Sequence, residues 1–376
     1  MNPFRQLALV AGLVAACVLP SHSFAESSNE RPVLKILNWD DYIAPEVITA
    51  YEQQYGVQVE YSYYANLDGF VEQFLDPEKQ FDLIFPPSHV VNKLAEKKLI
   101  RDLDSERLPE LGAIRADITN EYDMLDEGAR SAVPYMWGTT GLGVNIAKLQ
   151  ALGLGDYIDS WALVFDPEVR AKAKQCGIGL LNERDELFAG ALAYLGYSVN
   201  TMNKDELQQA GELLKATAAD VTYLHTVQFR QDLTDKKICV AVGYSGDLLV
   251  AAGDDPELAY FIPREGNALW IDAMAIPTNS PSPDRAYEFM NYLMQAEVAA
   301  ENSNYLEYPN PMASSAPYVD PDILNDETIY PALTALNHME ALAPRDRKTT
   351  RMMHKLWVGA LCNRGGWCSV PMMSMF

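Results

Sequence analysis

Short apolar runs alternate with amphipathic stretches along most of this chain, and that rhythm predicts an α/β architecture. Val33 to Asn38 reads as a strand. Pro45 opens a helix, because its fixed φ suits a first helical position, and Gly56 closes it after Tyr55. Val57 to Tyr61 is a second strand, Phe81 to Phe85 a third, and Ser88 to Lys97 an amphipathic helix. Later, Asn203 with Glu206 three residues on forms a capping-box pattern, and Ser282-Pro283 sets a cap before a helix-opening proline.

Two segments have the composition expected where a chain crosses between lobes. Pro134-Tyr135-Met136-Trp137-Gly138-Thr139-Thr140-Gly141 combines small residues with extended flanks, and Ala268 to Pro277 is an apolar strand holding one acid, Asp272. No internal repeat or low-complexity segment interrupts the pattern. After Trp357 the chain turns rich in Met, Gly and Cys and is almost uncharged, which reads as a peripheral tail over residues 358–376.

The opening is not expected to belong to the mature fold. Arg5 precedes an apolar run from Leu7 to Leu19, and Ser23-Phe24-Ala25 has the small-x-small form of a signal-peptidase site, so residues 1–25 read as an export signal. Val14-Ala15-Ala16-Cys17 is a rival, lipoprotein-type cleavage box. The apolar run is too short for a permanent membrane span. With a total of 376 residues, the remainder exceeds the size at which one core keeps growing, and two lobes are expected.

The formal net charge of −23 argues against a nucleic-acid partner, which needs clustered Lys and Arg, and suits a cationic ligand or simple solubility. Of the five cysteines, Cys17 falls in the leader and Cys362 and Cys368 in the tail. Cys176 and Cys239 lie in apolar, strand-like segments and would be able to pair in an oxidising compartment. None has the spacing of a zinc site, so no metal and no cofactor is expected.

No nucleophile elbow, P-loop, His-Glu-x-x-His or dinucleotide fingerprint occurs, and the reading is non-enzymatic. Acids beside aromatics stand out instead. Trp39-Asp40-Asp41-Tyr42 follows the first strand, Tyr244-Ser245-Gly246-Asp247 follows the strand Ile238 to Val242, and Trp270-Ile271-Asp272 lies on the second crossing. Ligands of open α/β sheets bind at the carboxyl ends of strands. An alkyl diammonium needs carboxylates at its ends and aromatic faces along its methylenes. Taken singly, Asp40-Asp41 also suits a turn or cap, Trp270 a core position and Asp247 a turn; Asp272, inside an apolar strand, demands a partner or a cation.

Ile36 to Pro45, Phe81 to Pro86, Pro134 to Gly141, Cys239 to Asp247 and Tyr308-Pro309-Asn310-Pro311 together resemble the bacterial periplasmic polyamine-binding proteins, nearest to those that bind putrescine. The likeness covers roughly residues 33 to 357. It implies a two-lobed, type II solute-binding fold with the ligand cleft between lobes. Lobe 1 would comprise residues 31–136 plus about 262–305, and lobe 2 residues 137–261 plus about 306–357. Trp39, Asp40, Asp41 and Tyr42 would form one wall; Glu186, Asp247 and Asp272 would hold ammonium groups; Tyr244, Trp270 and Tyr308 would complete the aromatic box. Ser88, His89 and Thr226 would add contacts, and Cys176 would pair with Cys239. The resemblance also implies a monomer in the periplasm that delivers a polyamine to the permease subunits of an ABC transporter. A polyamine sensor, a receptor for another cation or ferric ion (suggested by Tyr63-Tyr64), and an exported enzyme are the alternatives.

The chain also departs from the family. Asp40 stands where relatives carry Ser or Thr, Pro87 replaces a serine, Tyr244 replaces a tryptophan, and His89 occupies a position that varies with ligand. If buried, Asp40 would be an extra acid requiring neutralisation.

Overall fold

The computed structural model describes residues 31–116, 118, 131–331 and 339–362; the expected leader, Cys17, Cys368 and residues 363–376 lie outside them. Strands β1 (Val33–Trp39), β2 (Gln58–Tyr64) and β3 (Leu83–Ile84) form a parallel sheet in the order β2-β1-β3. Helix α1 (Pro45–Tyr55) returns the chain from β1 to β2, with proline in its first turn and Gly56 at φ 66° accepting the left-handed stop that its sequence predicts. Helices α2 (Leu67–Phe74) and α3 (Ser88–Glu96) follow β2 and β3. The second strand runs three residues past its expected end, to Tyr64, because its register with β1 continues to Trp39.

The remaining strands are β4 (Val133–Asn145), β5 (Ile178–Leu180), β6 (Tyr223–Leu224), β7 (Val240–Tyr244), β8 (Leu258–Phe261), β9 (Asn267–Met274) and β10 (Met339–Ala341). They form one sheet in the order β10-β9-β4-β7-β5-β6, with β8 also on β4. β4 links the two parts of this sheet. Its first half, Val133 to Thr139, pairs antiparallel with β9, and Thr140 to Val144 pairs with β7. Isolated bridges from Ile84 to Ala275 and from Pro87 to Asp272 tie β9 to the first sheet. The result is a two-lobed α/β fold in which both expected crossings are continuous, buried strands.

Each lobe has its own core. Leu34, Ile36, Tyr51, Phe85, Phe289 and their neighbours pack beneath the first sheet, and Leu306, Tyr308 and Met312 belong with them. Trp161, Phe165, Phe188, Phe229 and Val240 centre the second core, which Met353 and Trp357 of the last helix also enter. Val358–Cys362, where the sequence pattern suggests a tail, continue that helix as a π turn, and Ala360 is buried in the second core.

Two capping expectations are corrected. Asn203 accepts the Asp205 N–H and donates its amide to Glu206, but its own N–H goes to Thr201, so the reciprocal half of the box is absent. Ser282 caps nothing with its hydroxyl, which accepts from Arg285; its N–H is taken up by buried Asp82. Cys176 and Cys239 are joined by a disulfide with Cα atoms 5.4 Å apart. Cys176 ends a short 3-10 turn and Cys239 immediately precedes β7, so the bridge pins the start of β5 to its neighbour. No described helix is long and apolar enough to cross a membrane.

Candidate functional site

The strand ends of both lobes face one cleft, about 840 Å³ of atom-free space partly open to solvent. β1 ends at Trp39, and Asp41 at φ 52° turns the chain so that Tyr42 dives back into the core. β7 delivers Tyr244 and leads into helix α5 (Ser245–Ala252), whose first turn carries Asp247; helix α4 (Arg184–Tyr194) carries Asp185 and Glu186 in its first turn. β9 contributes Trp270 and Asp272 from mid-strand, and Tyr308 follows the helix Ala296–Leu306.

The aromatic side chains form a connected wall. Trp39 packs on Tyr64 with ring centroids 4.5 Å apart and meets Tyr244 edge-on at 6.2 Å. Tyr244 meets Trp270 at 5.7 Å, Trp270 meets Tyr308 at 5.2 Å, and Tyr308 meets Tyr42 at 5.7 Å, all in edge geometry. Two glycines make room for it. A Cβ on Gly138 would lie 2.4 Å from the Trp270 ring, and one on Gly246 would lie 2.5 Å from the Leu306 carbonyl and 2.7 Å from the Tyr308 ring.

Two acids in this wall, Asp272 and Glu186, are buried with few compensating partners, and a third, Asp247, keeps 16% of its side chain exposed. Burial pushes the Asp272 carboxyl up to about 7, although the Tyr42 hydroxyl and Trp39 indole beside it favour its charged form. Neither donor closes a hydrogen bond of ordinary geometry. Burial likewise raises Glu186 to about 8, and its Oε2 makes no hydrogen bond. Asp247 is raised by burial to about 6, held back by Arg230, whose Nε lies 3.5 Å from its Oδ2. Orphaned donors accompany these acids, since the Trp39 and Trp270 indole N–H groups are buried without partners.

A different kind of acid sits beside them. Asp185 accepts two hydrogen bonds from Arg184, at 3.0 and 3.1 Å, and lies 3.5 Å from Arg345 and 3.8 Å from His89. Burial opposes its charge, yet the two guanidinium groups outweigh it and hold the carboxyl well below the usual range. Burial pushes the His89 imidazole down to about 4 against the pull of Asp185, leaving it neutral near pH 7. Glu183, just before α4, is raised well above its ordinary value by burial and by Asp185, and accepts the Leu67 N–H at 3.1 Å.

Of the candidate residues, the cleft brings together Trp39, Asp40, Asp41, Tyr42, His89, Glu186, Thr226, Tyr244, Asp247, Trp270, Asp272 and Tyr308. Ser88 is not among its lining; it is buried at the start of α3, and Pro87 faces the cleft instead. Asp40 lines the cleft but is not a buried acid: it is exposed at the rim, like Asp41, where the left-handed turn at Asp41 carries both outward. Tyr63 and Tyr64 do not form a paired oxygen site, since strand alternation sends Tyr63 outward, 59% exposed, while Tyr64 lines the cleft. Sequence reasoning missed Leu67, Glu183, Asp185 and Arg230, and raised Tyr64 only as half of an iron-type pair. Tyr64 had a usable signal, the carboxyl end of a parallel strand; Arg230, on a surface-patterned helix, had none.

A two-lobed α/β fold with an acidic, aromatic cleft at its strand ends is the architecture of a solute-binding protein, and the chain belongs to the bacterial extracellular solute-binding protein family, whose profile matches residues 46–332. It is 34% identical over 353 residues to the putrescine-binding periplasmic protein SpuD of Pseudomonas aeruginosa, covering 92% of this chain and 96% of that one. It is 31% identical over 356 residues to the putrescine-binding periplasmic protein PotF of Escherichia coli, covering 93% and 96%. A Listeria monocytogenes structure described as a spermidine/putrescine ABC transporter superposes with a TM-score of 0.79 at 29% identity, over 87% of this chain and 98% of that one.

Proposed function

We propose that this protein is the extracytoplasmic, non-enzymatic binding component of an ABC transporter and captures a small linear polyamine, putrescine first. The observation that carries this reading is one aromatic-walled slot that holds two buried acids in no ion pair among the described residues, Glu186 and Asp272, and a third, Asp247, mostly buried and met only loosely by Arg230. A buried carboxylate without a counter-ion is costly, and a ligand ammonium supplies one while the indole and phenol faces cover the methylenes. Asp272 and Glu186 would take one ammonium and Asp247 the other, with Trp270 and Tyr244 between them. The lobes would close about the β4 and β9 crossings, and the closed form would be favoured by contacts that span both lobes. The names of its relatives support the periplasm as its location, the description of the Listeria structure as an ABC transporter supports permease subunits as its partners, and a monomer suits such closure.

The test is calorimetry on protein unfolded and refolded to strip bound amine, against putrescine, cadaverine, agmatine, spermidine and spermine. One-to-one saturable binding to a member of the panel is expected. A folded protein that binds none of them would overturn the proposal.

A further inference from the structure

Among the described residues that line the cleft, Arg230 is the only lysine or arginine. It projects from the helix Gln228–Thr234, and about a third of its side chain is exposed (31%). Its Nε stands 3.5 Å from Asp247 Oδ2 but makes no hydrogen bond, so the two are held by charge alone rather than by a forked pair. On the other side of Asp247, the Tyr308 hydroxyl accepts the Asp247 N–H at 3.2 Å. Asp272 belongs to no ion pair among the described residues; tyrosine and tryptophan are the groups beside it. The two ends of the slot therefore differ. One acid waits for a cation, and the other already has one.

We propose that Arg230 is a resident counter-ion of Asp247 that a ligand's terminal ammonium must displace or sit beside, which makes it a determinant of ligand charge. The inference rests on the polyamine reading of the cleft. A carboxylate shared by a guanidinium and an ammonium places two like charges within a few ångströms, and that repulsion is felt only by a ligand charged at this end. A ligand with an ammonium at the Asp272 end and a neutral, hydrogen-bonding group at the Asp247 end escapes it. The long, one-nitrogen contact and partial exposure of Arg230 leave its flexible side chain free to swing aside.

The experiment compares wild type with Arg230→Gln and Arg230→Lys by calorimetry, using putrescine and the amino alcohol of equal length, aminobutanol. Thermal melting checks that each variant folds. Arg230→Gln is expected to tighten putrescine binding about tenfold and to change aminobutanol binding less than about twofold, while Arg230→Lys, which keeps a point charge, preserves the wild-type ranking. In an Asp247→Asn background the gain from Arg230→Gln should vanish. Carboxyl NMR gives a readout without ligand: Arg230→Gln should raise the Asp247 titration by about one unit or more. Unchanged or weaker putrescine binding by a folded Arg230→Gln protein, or equal gains for both ligands, overturns the inference alone. Failure of every protein to bind either amine takes down the polyamine reading and this inference together.

Discussion

Asp185 and Glu186 are adjacent in sequence, share the first turn of one helix and are both buried, yet their surroundings drive them apart. Asp185 is gripped by Arg184 and Arg345 and stays ionised, whereas Glu186, one residue on, faces the slot with an unpartnered oxygen and is pushed up to about 8. Successive residues of a helix point about a hundred degrees apart, so neighbouring acids reach different environments. Burial alone does not make an acid a ligand group. What separates the two is whether the fold already supplies the counter-charge.

The largest effect that would test this contrast is on stability. Asp185→Asn leaves one buried guanidinium, Arg345, and one partly buried, Arg184, without their carboxylate and is expected to cost about 3 kcal/mol, read as a lower denaturant midpoint at unchanged slope. Putrescine affinity should change little in the same protein. Next comes Asp272→Asn, with the opposite signature. It should weaken putrescine about 100-fold, because a desolvated ammonium loses its counter-charge, while ligand-free stability near pH 8 holds or rises. If Asp272→Asn cost stability and Asp185→Asn cost affinity, the assignment of structural and ligand-facing acids would be reversed.

The contrast also has a pH signature. In the ligand-free protein Asp247, Asp272 and Glu186 titrate near 6, 7 and 8, above ordinary carboxyl values, because burial disfavours their charge. The native state therefore holds protons that the unfolded chain has released, and ligand-free stability should fall as pH rises from about 4 to about 8, then level. Asp185 has the other sign, and its contribution is present above its unfolded value and lost as pH falls toward its depressed native one. Cation binding requires the three slot acids ionised, so affinity should rise across pH 5 to 8 and binding at pH 7 should release protons. Calorimetry in buffers of different ionisation heat reads that release directly. An enthalpy independent of buffer would show that the slot acids are already ionised before ligand arrives.

Much of this arrangement is legible in the sequence. A strand followed at once by Trp39-Asp40-Asp41-Tyr42, or by Tyr244 to Asp247, has its place at a sheet's carboxyl edge fixed by local pattern, and an acid within the apolar strand of Asp272 signals its own unmet need. The exposure of Asp40 was not legible, because it depends on a single left-handed residue, Asp41, whose φ no periodicity reveals. The grip on Asp185 was hidden for another reason. Arg345 lies 160 positions away, and only the packing of the last helix against the second core brings it near. The pairing of Arg230 with Asp247 likewise joins two helices that sequence pattern treats as independent.

The smallest effect belongs to the residue between the two acid environments. His89 lines the cleft and its Nε2 faces Asp185 at 3.8 Å, too far for a hydrogen bond, with no other partner. Burial keeps its imidazole neutral down to about 4, so it contributes neither a charge for a ligand to avoid nor an ion pair for the fold to lose. His89→Gln, which retains a polar tip of similar reach, should therefore shift putrescine affinity and stability by less than about 1 kcal/mol each. The informative variable is acidity. If the wild-type affinity shows an extra inflection near pH 6 that His89→Gln removes, the imidazole is charged in the complex, and the Asp185 cluster extends its electrostatics into the ligand slot rather than standing apart from it.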